Sequence, residues 1–224
     1  MTNDIDCTPT VTNCLFNGNS GQYGGAIINN GSRSTYTNCT VYNNSATVWG
    51  GGVLNQQCSP VLTNCILWDN TDESGSGTSA QMYLLAGTGS PIVTFSCIKD
   101  SDSNDTSIPF GGAANNNIDD NPLFENAGSG ALRLSPASPC IETGSNSAIP
   151  TDTADLDNDG NITESTPLDL IGRPRFTDGD CDKTATVDMG AYEFAWIYVG
   201  DLDGDCDVDL ADFAVIANYW LAGK

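Results

Sequence analysis

The stretch Gly200-Asp201-Leu202-Asp203-Gly204-Asp205-Cys206-Asp207-Val208-Asp209-Leu210-Ala211-Asp212 is a cation loop written in carboxylates. Counted from Asp201, acids stand at positions 1, 3, 5, 7, 9 and 12 of a twelve-residue loop. One tight turn with this spacing gathers six to eight oxygens around a hard cation, the coordination that calcium takes. The expected ligands are the carboxylates of Asp201, Asp203, Asp205, Asp209 and Asp212, with the carbonyl of Asp207 completing the set. Val208, at position 8, is the apolar anchor. A second loop places Asp155, Asp157, Asp159 and Asn161 at positions 1, 3, 5 and 7, with Gly160 at the sharp turn, Ile162 at position 8 and Thr166 at position 12. The run Asp178-Gly179-Asp180-Cys181-Asp182 is a shorter third candidate.

A helical pattern follows the terminal loop. Phe213, Ile216, Ala217, Trp220 and Leu221 fall at i, i+3, i+4, i+7 and i+8, which makes one apolar stripe. One helix cannot bury that stripe in itself, so it is expected to pack on the rest of the chain, with a partner chain as the alternative. Residues 201–221 resemble one half of a type I dockerin, a module that plugs bacterial polysaccharide-degrading proteins into larger assemblies. Asp212 at position 12 follows the dockerin habit. Cys206 at position 6 departs from the usual glycine. Leu210 and Ala211 stand where dockerins often carry partner-reading hydroxyls, and a second full repeat is missing. The resemblance implies calcium and a cohesin-like or surface protein as partner. Leu210, Ala211, Phe213, Ile216 and Trp220 are the residues that would meet it.

The charge agrees with a cation-dependent protein. The chain of 224 residues has 29 acids against 7 bases, a net charge of −22 and no histidine. Twelve acids lie in residues 1–150 and seventeen in the remainder, so the charge is concentrated. Asp-x-Asp runs repel themselves unless a cation is present. Such a field opposes nucleic acid and anionic membranes, both of which select Lys and Arg. No apolar run is long enough for a membrane span. Nine cysteines suggest an oxidising compartment, and the odd count leaves at least one unpaired. Met1-Thr2-Asn3-Asp4-Ile5-Asp6 lacks the basic start and apolar core of an export signal, so the chain reads as a fragment of a longer secreted or cell-surface protein.

The elements that must hold these loops announce themselves as repeats. Thr12-Asn13-Cys14 returns as Thr37-Asn38-Cys39 and Thr63-Asn64-Cys65, and weakly as Phe95-Ser96-Cys97, with cysteines 25, 26 and 32 residues apart. Gly24-Gly25-Ala26-Ile27-Ile28-Asn29 is echoed by Gly51-Gly52-Val53-Leu54-Asn55. Periods of this length mark stacked units that cannot bury an apolar face alone. The apolar runs are short and bounded by Asn, Gly and Ser, which argues for strands and tight corners over helix pairs. The fold expected is all-β, a right-handed parallel β-helix, ending in a short EF-hand- or dockerin-like loop and helix. Asn at the corners can take left-handed backbone angles and stack its amide on the next coil. Cys14, Cys39, Cys65 and Cys97 are expected to form an inward ladder, most simply as buried thiols. Phe16, Tyr42 and Trp68, taken as two residues beyond the cysteines, are expected to form an aromatic ladder pointing inward with them, an outward strip suited to sugar rings being the alternative.

The division expected is coils over residues 1–145, a closing region with Asp-rich loops over 146–198, and the loop-helix over 199–224. Asn121-Pro122-Leu123-Phe124, the run from Ala131 to Gly144, Gly172-Arg173-Pro174-Arg175 and Val187-Asp188-Met189-Gly190-Ala191-Tyr192-Glu193-Phe194 are similar to the closing coil of secreted bacterial β-helix proteins. That group is called the choice-of-anchor Q type, of planctomycete-like bacteria. The resemblance implies a surface or secreted location and no established chemistry.

Many parallel β-helices act on acidic polysaccharides, so catalysis is the competing function. Lyases of that fold use an Arg or Lys base near calcium. Here Arg33, Lys99, Arg133, Arg173, Arg175, Lys183 and Lys224 are the only bases, and none falls at an echoed position. Hydrolases need two carboxylates at a set separation; Asp69, Asp72, Glu73, Asp119 and Asp120 qualify by type alone. The absence of histidine removes Ser-His-Asp and Cys-His chemistry and ordinary zinc sites. The reading is a non-catalytic, calcium-stabilised module for adhesion, glycan contact or protein assembly. A polysaccharide lyase or glycoside hydrolase is the alternative.

Overall fold

The computed structural model describes residues 1–85, 89–101, 115–195, 202 and 206–221. Its body is a parallel β-solenoid of about three turns. A leading strand, β1 (Thr2–Asn3), precedes a first coil of β2 (Thr10–Thr12), β3 (Leu15–Asn17), β4 (Ser20–Tyr23) and β5 (Ile27–Asn30). The second coil repeats it with β6 (Thr35–Thr37), β7 (Thr40–Tyr42), β8 (Ser45–Trp49) and β9 (Val53–Gln56). The third has β10 (Val61–Thr63), β11 (Ile66–Trp68), a one-turn helix α1 (Thr78–Gln81) and β12 (Met82–Leu84). β13 (Ile92–Thr94) and β14 (Cys97–Ile98) begin a fourth. Like strands stack into parallel sheets in the orders β2-β6-β10-β13, β3-β7-β11-β14, β4-β8 and β1-β5-β9-β12.

Four corners turn each coil, and most of them need a left-handed residue. The columns are Asp6, Gly31 and Gln57; Asn13, Asn38, Asn64 and Phe95; Gly18, Asn43, Asp69 and Asp100; and Gly24 and Gly50. Asn, Asp and Gly tolerate positive φ best, which is why the sequence is dense in them. The double-glycine echo has a steric cause. A Cβ on Gly25 would lie 2.2 Å from the Gly51 carbonyl, and one on Gly51 would lie 2.1 Å from the Thr71 carbonyl.

Two asparagine ladders run inside. Asn3 donates to Asn29 and Asn29 to Asn55, each at 2.9 Å. Asn19, Asn44 and Asn70 chain likewise at 2.9 Å, and Gln81 of α1 ends the series by accepting from Asn70. Apart from the exposed Asn19 these amides are buried, and the bonds satisfy groups that would otherwise be costly to remove from water. The first ladder stops at Asn55, because β12 places Leu84 opposite it, and Asn55 Nδ2 is left without a partner.

Between the ladders lies an apolar core of in-register rows: Val11, Tyr36, Leu62 and Val93; Phe16, Val41, Leu67 and Ile98; and Ile27, Val53 and Met82. Cys14, Cys39 and Cys65 form one inner row, as the echo predicts. Cys97 does not continue it. Thr94 pairs Thr63 and Cys97 pairs Ile66, so Ser96 takes the fourth rung and Cys97 faces the outer side. The last echo aligns one residue earlier than its cysteine suggests. A one-residue shift reverses the face of every side chain.

The aromatic ladder is also corrected. Phe16 pairs Val41, whereas Tyr42 pairs Trp68 and Asn17. Phe16 stands two residues after its cysteine, but Tyr42 and Trp68 stand three after theirs. Phe16 therefore points inward while Tyr42 and Trp68 point outward. They form no exposed strip, because Phe124 packs edge-on against Tyr42 at 5.3 Å and Trp68 is buried in a second apolar cluster. That cluster contains Ile66, Cys97, Leu134, Cys140, Met189 and Phe194. The chain after residue 118 thus covers the outer face of β3-β7-β11-β14. It includes an antiparallel pair, β15 (Phe124–Asn126) and β16 (Ala131–Leu134), and the chain ends in the helix α2 (Leu210–Leu221).

Candidate functional site

The acidic segment is anchored through the middle letter of the Thr-Asn-Cys echo. Each Asn sits left-handed at a corner while the following cysteine points inward, so its amide is presented outward. Asn13 donates to the Leu168 carbonyl at 2.7 Å and Asn38 to the Asp188 carbonyl at 3.0 Å. Asn64 both accepts from Ser145 N at 2.8 Å and donates to its carbonyl at 3.1 Å. Gly190 N donates to the Asn64 carbonyl and Ala191 N to Thr40 Oγ1.

The two closing motifs form a single buried clamp. Arg175 Nη1 pairs with Glu193, and Arg175 Nη2 donates to Asn13 Oδ1 at 2.6 Å. Glu193 takes the Asp188 N–H on both oxygens, while Asp188 accepts from Glu142 N at 2.8 Å and Phe194 N at 2.6 Å. All three side chains are buried. Burial raises the Asp188 carboxyl to about 7, against the lowering effects of its backbone bonds and Arg175. Burial, then Asp188, pushes Glu193 up as well. Each of these charged groups is thus met by a partner inside the protein.

Among the described residues three groups of carboxylates gather, each with oxygens within 4.8 Å of one another. Asp155, Asp157 and Asp159 form one, as their spacing predicts. Asp157 also converges with Asp152 and Glu164, residues outside the ligand spacing read from the sequence. Thr166 is buried and donates to the Pro150 carbonyl at 2.9 Å, while Asn161 Oδ1 accepts from Thr163. The loop is wider than a twelve-residue count implies: Asp152 N donates to the Glu164 carbonyl at 2.8 Å and clips its two ends together. Glu164 Oε1 is inaccessible and has no hydrogen-bond partner. Desolvation, then Asp159, Asp157, Asp152 and Asp155, raises the Glu164 carboxyl. A divalent cation would answer both the orphaned oxygen and the mutual repulsion, so this group could hold one.

The third group joins Glu142 to Asp178, Asp180 and Asp182. Glu142 accepts from Gly179 N at 3.0 Å, and burial followed by its contact with Asp180 raises its carboxyl to about 7. No local sequence signal pointed to Glu142, which lies 36 residues before Asp178 and arrives only through the fold.

A disulfide, Cys181–Cys206, ties this third loop to the terminal one. Of the terminal ligand set, Asp201, Asp203 and Asp205 lie outside the described residues. Asp212 is 3 % exposed and draws the loop together, accepting from Leu202 N at 2.6 Å and Asp209 N at 2.7 Å. Asp209 accepts from Ala211 N at 2.6 Å, capping α2, and Asp207 is exposed. The stripe on α2 does not pack on the body: Leu210 and Trp220 are 85 % exposed, Phe213 66 % and Ile216 48 %, with Ala211 also exposed. The expectation of intramolecular burial is overturned here, because the helix turns its Asp212 face inward.

Of the carboxylates considered for hydrolysis, three have partners among the described residues. Asp69 pairs with Lys99 at 2.7 Å, Asp72 accepts from Gly50 N and Ser74, and Glu73 accepts from Trp49 Nε1. Outside, Trp49 stacks on Tyr83 with ring centroids 5.2 Å apart and planes 2° apart. No helix among the described residues is long and apolar enough to cross a membrane. No protein-family model, curated protein or solved structure matches the chain.

Proposed function

We propose that this protein is a non-catalytic, calcium-stabilised β-helix module of a secreted or cell-surface protein, and that its terminal loop and helix dock a partner protein. The observation that carries the reading is the exposed row Leu210, Phe213, Ile216 and Trp220 on α2. Large apolar side chains aligned on one face and left in water mark an interaction surface. The helix is held for such a role by the Asp212 loop and the Cys181–Cys206 bond. The dockerin-like spacing makes a cohesin-like receptor the partner to try first. Glycan contact has less support, since Trp49 and Tyr83 spend ring faces on each other.

Calcium in this reading is structural. Asp152, Asp157 and Glu164, with Asp155 and Asp159, would hold one ion, and Glu142, Asp178, Asp180 and Asp182 another. The terminal loop is the third site by its spacing. Ligand that binds the folded form alone raises its stability.

Two measurements separate the parts. Thermal melting in calcium against chelator should show a higher melting temperature with calcium, reduced in Asp157→Asn; superimposable melts remove the ion. Surface-plasmon measurements against a panel of purified cohesins should detect a complex lost in Phe213→Ala plus Trp220→Ala. Silence across that panel, with the helix folded by circular dichroism, removes the cohesin-like partner.

A further inference from the structure

The loop between Asp152 and Glu164 carries a second signal beside its carboxylates. Asn161-Ile162-Thr163 is an Asn-x-Thr triplet, the acceptor sequence for an N-linked glycan on the surface of an exported protein. Residues 156–163 are all exposed and belong to no strand or helix. Even the middle residue, Ile162, is 53 % exposed. The backbone bonds of this stretch stay within the loop. Gly160 N donates to Asp155 Oδ1 at 3.1 Å, Asn161 N to Asp159 Oδ1 at 2.6 Å and Thr163 N to Asn161 Oδ1 at 3.1 Å.

The acceptor amide and the hydroxyl two residues on are already together. Thr163 Oγ1 donates to Asn161 Oδ1 at 2.8 Å, closing an Asx turn. Asn161 Nδ2 donates to Glu164 Oε2 at 3.3 Å, a long contact on the surface that transfer would give up. Position 7 of a cation loop lends its backbone carbonyl to the ion, which leaves the Asn161 amide free of that duty.

The other triplets of this type are placed differently. Asn38 and Thr40 of Asn38-Cys39-Thr40 are buried, at 0 % and 1 % exposed. Asn30 ends β5, and Ser32, two residues on, is 1 % exposed. Asn43 is exposed, but Asn44 beside it is a fully buried rung of the amide ladder, so that triplet cannot be drawn out into an enzyme's cleft. Asn104-Asp105-Thr106 lies outside the described residues.

We propose that Asn161 is the acceptor of an N-linked oligosaccharide, added by an oligosaccharyl transferase to the folded loop. Asn161 Nδ2 attacks the anomeric carbon of a sugar carried on a lipid-linked pyrophosphate. The new C–N bond forms as the C–O bond to phosphate breaks. The pyrophosphate leaves with the electron pair, and one amide proton passes to a base of the transferase. The inference rests on the secreted or cell-surface reading, since such transfer belongs to export. A glycan here would stand on the rim of the Asp152, Asp157 and Glu164 group and cover the exposed Ile162.

The test is transfer in vitro. Purified, folded protein is incubated with an oligosaccharyl transferase and a pyrophosphate-linked oligosaccharide, with a short Asn-x-Thr peptide as control acceptor, and glycosylated positions are mapped by peptide mass spectrometry. Asn161 should carry the glycan, and Asn30, Asn38 and Asn43 should stay bare. Asn161→Gln and Thr163→Val should each abolish the product at this position. A bare Asn161 while the control peptide is consumed overturns the inference, as does modification of Asn161 only in denatured protein. Because the assay bypasses export, a negative result counts against the acceptor and leaves the secreted reading standing.

Discussion

At the scale of single residues, the clamp around Arg175 shows how a charge is kept inside. Its guanidinium faces Glu193 and, more distantly, Asp188, both of which burial drives toward the neutral form. A carboxyl whose folded pKa is raised contributes stability that is complete below its unfolded value and lost as pH rises through the folded one. For Asp188 that window runs from 3.8 to about 7. In chelator, the melting temperature should therefore fall by several degrees between pH 5.5 and pH 8. Arg175→Met should destabilise by about 3 kcal/mol at pH 8, since it strands buried acid, and by less at pH 5.5, where the acids are protonated. Differential scanning calorimetry at the two pH values checks both. A penalty independent of pH would mean that Arg175 acts through packing volume alone.

At the scale of elements, two devices set the coils. Asn44 is fully buried, donates to the Phe16 and Tyr42 carbonyls and to Asn70, and accepts from Asn19. Replacing it with Ala leaves several buried groups unpaired, and urea unfolding should show a loss of about 3 kcal/mol. Gly51→Ala should cost about 3 kcal/mol for a different reason, because its Cβ would overlap the Thr71 carbonyl, which belongs to the backbone and cannot swing aside. Gly75→Ala, with nothing within 4 Å of its added Cβ, isolates the effect of positive φ and should cost about 1 kcal/mol. Equal losses at the two glycines would remove the steric account.

At the scale of the whole molecule, solenoid and covering layer share hydrogen bonds and should unfold together. Met189 N, Gly190 N and Ala191 N donate to the Cys140 carbonyl, the Asn64 carbonyl and Thr40 Oγ1, so the layer cannot lift without breaking contacts to β7 and the β10–β11 corner. Hydrogen exchange should give these three amides protection close to that of β7 and β11. Much faster exchange at residues 189–191 would make the layer a separate unit. The exposed helix α2 stands apart from that unit, held by the loop and the Cys181–Cys206 bond.

The sequence by itself determined the repeat, and with it the stacked parallel coils. Coils at near-equal period can bury their apolar rows only on one another, and Asn and Gly at the corners leave few backbone choices. It also determined where acids cluster, since Asp155, Asp157 and Asp159 meet within one local turn. What depends on separations of tens of residues had no local signal. The approach of Glu142 to Asp178, the joining of Gly172–Arg175 to Val187–Phe194 through Arg175 and Glu193, and the Cys181–Cys206 bond are of that kind. The face of a side chain was equally undecided wherever a coil gained or lost one residue. A strand's period of two turns such a slip from core to exterior, as it does for Cys97. The exposure of the α2 stripe belongs to the tertiary structure too, because an amphipathic pattern states that a face must be covered and not by what.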